Sequence, residues 1–169
     1  MERETQRPIV FLHPTWELNG VTTVQCLLAD GLAGRGHRCL ASGTDLNQDA
    51  MPKPLRPDHA SIHRLVARPL PRKLLGTRRP AVWLAQWLIR RRLERWLRSL
   101  PNPILVPGFD IAWTDLPPGL WRDIPVVSVI HSDDTWWYDY AAKVESRSHA
   151  LVAVSRRVGL RLQEMFPNR

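Results

Sequence analysis

Two stretches of this chain join a buried-strand pattern to groups able to do chemistry. Val126-Val-Ser-Val-Ile-His-Ser-Asp-Asp134 is an apolar run ending on an imidazole and two carboxylates, and Ala150-Leu-Val-Ala-Val-Ser155 ends on a hydroxyl. They lie about one helix apart. Polar groups just past the carboxyl ends of parallel strands are where open α/β sheets bind ligands. His131 carries a side chain whose ordinary pKa is near neutrality, so it could hydrogen-bond or share a proton with a bound hydroxyl. Asp133 and Asp134 could hold sugar hydroxyls, or could simply cap the turn that follows. The same three residues could ligate a cation, but no second ligand cluster accompanies them and no metal is expected. Trp136-Trp137-Tyr138 and Tyr140 come next. Such aromatics stack on sugar faces or pack the next helix; Trp136 is expected to face the crevice and the others to turn inward.

A second candidate region lies near the start. Pro8-Ile-Val-Phe-Leu12, bounded by His13-Pro14, reads as a buried first strand. The polar loop Thr15-Trp-Glu-Leu-Asn-Gly20 leads into Val21, Val24, Leu27, Leu28 and Leu32 at helical spacing, and Gly34 and Gly36 end the helix. Arg38–Ser42 reads as the next strand, completing a βαβ unit. Gly20 at the helix start would let backbone N–H groups approach an anion; the same turn serves equally well as a plain strand–helix connection. There is no Gly-x-Gly-x-x-Gly, and no acid ends the second strand where a nucleotide ribose would be held.

The remaining elements must position these two regions. Ser61–Val66 alternates as a third strand would, followed by a basic, proline-interrupted loop expected to be mobile. Pro80 suits the first residue of a long helix over 81–99, Pro103–Pro107 is a short buried strand, and residues 110–121 read as a loop with a helical turn or two. Strands follow at 126–130 and 151–154 with a helix at about 139–148 between them. Ser155 suits the cap of a last helix carrying Val158, Leu162 and Met165. Strands alternating with helices predict an α/β, Rossmann-like, mainly parallel sheet with helices on both faces.

The 169 residues suffice for one domain with a sizeable core. No apolar run approaches the ~20 residues of a bilayer span, and the charged start has no export core, so a cytoplasmic location is expected. Cys26 and Cys39 lack metal-type spacing and read as reduced, buried thiols. The net charge of +8 is regional: residues 35–98 hold fifteen Lys/Arg against four acids. That predicts an anionic partner surface. Trp83, Leu84, Trp87, Leu88, Leu93, Trp96 and Leu97 share the long helix with Arg90, Arg91, Arg92, Arg95 and Arg98. One stripe, such as Ile89, Leu93, Trp96 and Leu100, is enough for a core; the extra apolar width beside Arg90, Arg91 and Arg95 suits an interfacial helix on anionic lipid, or a sheet-packed helix with a solvated basic face. Aromatics interleaved with bases on a sheet face are lacking, so no nucleic acid is expected. Without a Gly-x-Ser-x-Gly elbow a small hydrolase is disfavoured.

Taken together, Glu17-Leu-Asn-Gly-Val21, Leu32-Ala-Gly-Arg-Gly-His37, Val129-Ile-His-Ser-Asp-Asp134 and Ala150-Leu-Val-Ala-Val-Ser155 resemble, in order, motifs of the N-terminal domain of a family 4 glycosyltransferase of the GT-B fold. The resemblance spans most of the chain, least so residues 45–80. Asn19 stands where that family usually has glycine, so its donor-phosphate loop must accommodate a side chain. The resemblance implies retaining transfer of a sugar from a nucleotide-sugar to a glycan or lipid-linked acceptor, without a metal or other cofactor, in a cleft between two Rossmann-like domains. It implies that residues 1–169 are the acceptor-side half, with the donor-binding C-terminal domain missing and this chain alone inactive. His131 would then be the acceptor-side catalytic group. Glu17, Asn19, Gly20, Asp133, Asp134 and Trp136 would bind acceptor, and Asn19 and Gly20 would face the donor phosphate. A stand-alone carbohydrate- or anion-binding module built on the same crevice is the alternative.

Overall fold

The structure, a computed structural model, describes residues 6–13, 19–43, 58–64, 79–108 and 119–169. Strand β1 (Ile9–His13) passes into helix α1 (Gly20–Gly34), β2 (Cys39–Gly43) and β3 (Ser61–Arg64). A long helix α2 (Arg79–Ser99), β4 (Ile104–Pro107) and a single helical turn α3 (Leu120–Asp123) come next. The chain closes with β5 (Val127–Ile130), α4 (Thr135–Val144), a 3-10 turn (Glu145–Arg147), β6 (Ala150–Ala153) and α5 (Arg156–Met165).

All recorded strand pairs are parallel. Four strands run in the order β3-β2-β1-β4, and β5 pairs β6. A single parallel bridge, Leu105 to Val126, joins the two sets, with Leu105 N–H donating to the Pro125 carbonyl at 2.8 Å. The chain thus builds outward from β1 to β3, then crosses back to β4 on the other side of β1. In open parallel sheets this reversal, between β1 and β4, is where a crevice opens at the strands' carboxyl ends.

The period of two along β1 sorts its side chains between layers. Val10 and Leu12 pack with Ile89, Leu93 and Leu97 of α2; Phe11 packs with Ala29 of α1 on the opposite face. Helices therefore cover both faces. In α2 the buried stripe is Ile89, Leu93 and Leu97, with Trp96 and Leu100 only partly covered. Leu97 takes the central place because it lies on the same helix ridge as Leu93, four residues on. Ile130 anchors a third cluster with Trp137, Tyr140, Ala141 and Val144 of α4 and Val158 and Leu162 of α5.

Local signals fix the ends. Helix α1 stops where Gly36 takes φ +92 and His37 N–H reaches back to the Leu32 carbonyl at 3.1 Å, a left-handed turn that favours glycine. Ser155 Oγ accepts from Val158 N–H and starts α5. Helix α4 begins at Thr135, four residues before the sequence-based boundary. The aromatic cluster is its first turn: Trp137, Tyr140, Ala141 and Val144 share the buried face at helical spacing. Helix α2 likewise begins at Arg79, so Pro80 lies inside its first turn, where no amide hydrogen is missed. Cys26 and Cys39 are free and buried. Among the described residues no helix is long and apolar enough to cross a membrane.

Candidate functional site

A cavity of about 470 Å³ opens at the carboxyl ends of the strands, between the start of α1 and the segment leaving β5. Its polar walls are His13, the last residue of β1; Asn19, Gly20 and Thr22 at the start of α1; and His131 and Ser132 just beyond β5. Trp137, Val21, Val24 and Val154 supply the apolar part.

Asn19 caps α1. Its backbone is extended, and its Oδ1 accepts from Thr22 N–H at 2.9 Å while its carbonyl accepts the first helical bond from Thr23 N–H. A Cβ on Gly20 would meet nothing within 4 Å, so the turn leaves open space beside the helix start. Gln25, buried one turn further on, donates to the Pro107 carbonyl at 3.3 Å and ties α1 to the end of β4.

His13 is wholly buried, and burial holds its pKa down at about 4. His131 is half-buried, and desolvation likewise lowers it to about 4. Both imidazoles are neutral at pH 7, because burial strips the charged form of its hydration. The near-neutral titration expected for His131 is thus displaced downward by burial. Its ring lies 5.3 Å from that of Trp137, tilted by 53°. Its Nε2 is shielded from solvent and has no hydrogen-bond partner among the described residues. A neutral imidazole offers one donor and one acceptor nitrogen, so this atom suits a hydroxyl entering the cavity.

The structure brings His131, Asn19 and Gly20 to one cavity, and it does not bring Asp133, Asp134 or Trp136 to that wall. Asp133 accepts from the Tyr138 hydroxyl and pairs with Arg157. The Tyr138 hydroxyl is correspondingly pushed above its ordinary pKa by its bond to that carboxylate. Asp134 stands at the cap position of α4, but its carboxylate accepts from Ser132 Oγ at 2.6 Å rather than from the helix. Trp136 is half-exposed and meets Trp137 edge-on at 4.9 Å; Trp137 lines the cavity in its place. Glu17 lies outside the described residues.

The sequence gives no sign of His13 at the wall and turns Trp137 inward, yet both line the cavity. His13 read only as a strand boundary, although the last residue of the first strand in such a sheet necessarily stands at the crevice. Trp137 is separated from Trp136 by helix phase alone. Among the described residues no group of three His, Cys, Asp or Glu could hold a metal ion.

On α2, Arg91 lies over the Trp87 ring at 5.3 Å. Leu84, Trp87 and Leu88 remain 52%, 42% and 43% exposed beside the exposed Arg91, Arg92 and Arg95. Arg90 is half-buried; the side chain of Trp83 lies outside the described residues, as does the basic loop before Arg79.

A search of curated proteins gave no match. The sequence profile described as Glycosyltransferase Family 4 matches residues 18–169, which takes in α1, every later described element and every described cavity-lining residue except His13. With that match and a Rossmann-like parallel sheet, the chain belongs to glycosyltransferase family 4.

Proposed function

We propose that this chain is the acceptor-binding half of a retaining, metal-independent glycosyltransferase, and that the cavity at the ends of β1 and β5 receives the acceptor sugar. A family 4 domain implies sugar-donor and acceptor binding in general. The observation that carries the finer reading is the shielded Nε2 of His131, without a hydrogen-bond partner among the described residues, beside the Trp137 ring in a cavity of about 470 Å³. An indole edge or face against a sugar's C–H surface, with a hydrogen-bonding atom at its rim, fits a glycan ring. His131, neutral at pH 7, orients an acceptor hydroxyl toward the donor and accepts its hydrogen bond. The nucleotide-sugar is held by a second, donor-binding domain, whose groups stabilise the leaving phosphate. This half contributes to the donor only the start of α1, where Thr22 N–H is already taken. Calorimetry of the 169-residue chain with uridine and guanosine diphosphates tests the division of labour. Binding weaker than micromolar, with no sugar transfer, is expected; micromolar or tighter binding contradicts it.

A second role rests on α2. Its exposed Leu84, Trp87 and Leu88, flanked by Arg91, Arg92 and Arg95, match a helix lying on an anionic lipid surface.

A further inference from the structure

We infer that the flank of α1 and the facing side of β6 form an apolar track for an aliphatic chain carried by the acceptor sugar. The inference rests on the acceptor-site reading and narrows its substrate class to sugars bearing a hydrocarbon substituent.

The alternation along β5 and β6 sorts their side chains between two faces. Ile130, Leu151 and Ala153 turn toward α4 and α5. Val129 turns to the other face, where it is buried with Phe11 of β1 and Ala29 of α1. Val152 is in register with Val129 and shares that face. Of the described helices only α1 lies there, because α2 packs on Val10, Leu12 and Val126. Parallel strands with continuous apolar runs are ordinarily covered on both faces. Ala150-Leu-Val-Ala-Val154 is such a run, yet Val152 and Val154 are 41% and 45% exposed.

The flank of α1 matches it. Val24 and Leu28, one turn apart, are 41% and 40% exposed. Val24 and Val154 line the same cavity, so the two elements face each other at its mouth. From there α1 runs back along the sheet toward the start of β2. Leu28 lies about 6 Å beyond Val24 along the helix axis, and Val152 about 7 Å beyond Val154 along the strand. The two pairs are therefore level and make two apolar rails leading out of the cavity. The one carboxylate of α1, Asp30, is turned to the other flank, where it accepts from the His59 and Ala60 amides ahead of β3, at the far end of the sheet.

Continuity with the cavity identifies the occupant. A sugar held at His131 and Trp137 has its outward substituent between Val24 and Val154. A charged or hydrated substituent gains nothing from four aliphatic side chains, whereas a hydrocarbon chain removes water from them. A protein segment seated across Val24 and Val154 would cover the mouth instead of using it.

The test titrates the 169-residue chain with methyl and hexyl glucosides, galactosides and mannosides, followed by NMR of side-chain methyl and ring signals. A fully buried methylene strengthens binding about fourfold, and one lying in an open track about twofold. The hexyl form of the recognised sugar is therefore expected to bind about ten- to thirtyfold more tightly than its methyl form. Signals of Val24, Leu28, Val152 and Val154 should shift with it. Leu28→Ser with Val152→Thr is expected to lower the hexyl-to-methyl ratio severalfold. That ratio is read within each protein, so a general loss of folding does not imitate the effect. Equal affinity of hexyl and methyl glycosides would overturn the inference, as would a hexyl preference that leaves those four residues unmoved. If methyl glycosides shift His131 and Trp137 while the hexyl chain adds nothing, the acceptor-site reading stands and the track falls. If the hexyl chain shifts the four aliphatic residues but no glycoside moves His131 or Trp137, the track stands and the acceptor-site reading fails.

Discussion

At the carboxyl ends of β1 and β5 the chain gathers two imidazoles, an indole and a hydroxyl around a cavity without a described cationic side chain. Along α2, on the far face of the sheet, exposed Leu84, Trp87 and Leu88 are followed by exposed Arg91, Arg92, Arg95 and Arg98. Both regions use aromatic and basic residue types, yet one is kept neutral and the other strongly positive. Burial makes the difference. His13 and His131 are held neutral by desolvation, whereas Arg91 and Arg95 are exposed to water. The net charge of +8 is therefore carried by exposed side chains rather than by the described cavity wall.

The sharpest way to break the comparison is to cross the two faces of α2. Leu93 is wholly buried under β1, so Leu93→Ala should cost about 2–5 kcal/mol in a urea melt. Leu88→Ala, on the exposed side, should leave the melt nearly unchanged. A comparable loss from both would mean that the outer stripe is covered by something other than lipid.

The neutral histidines give the next largest effect. The unfolded chain takes up protons near pH 6.5, whereas folded His13 and His131 do not until about pH 4. Below pH 6.5 the unfolded state thus binds more protons. Stability should be full above that pH and fall by roughly a few kcal/mol as pH drops toward 4. Denaturant midpoints at pH 7 and pH 4.5 read this directly. A flat profile would show the imidazoles to be charged or exposed in the fold.

Smaller still is the lipid term. Each arginine near an anionic surface contributes about 1 kcal/mol, so Arg91→Glu with Arg95→Glu should reduce flotation on phosphatidylglycerol vesicles severalfold. Equal recovery of the unaltered chain on neutral and anionic vesicles would leave α2 as a sheet-packed helix with a solvated face.

Why some of this was legible in the sequence follows from the physics of parallel sheets. Strands covered on both faces need continuous apolar runs, so Ile9–Leu12 and Val126–Ile130 stood out, and the helix signals at Gly36 and Ser155 are local. The crevice was foreseeable because topology alone brings strand ends together. Side-chain direction was not. Whether Trp136 or Trp137 lines the cavity depends on where α4 starts, and that start at Thr135 goes with packing of Trp137, Tyr140, Ala141 and Val144 on Ile130 rather than with a side-chain cap from Asp134. The fate of Asp133 depends on Arg157, twenty-four positions away and brought near only by α5. The downward shift of His131 is likewise a product of tertiary burial.

We propose that His131 serves a ligand in the cavity rather than the fold. Its most direct test is His131→Ala in the enzyme together with the proposed donor-binding domain, with turnover and melting temperature measured together at pH 7. The expected result is a loss of turnover of roughly 10²-fold with the melting temperature little changed, since the His131 Nε2 has no described partner to lose. Retained turnover with a lowered melting temperature would contradict the account and make His131 a packing residue of the β5 end.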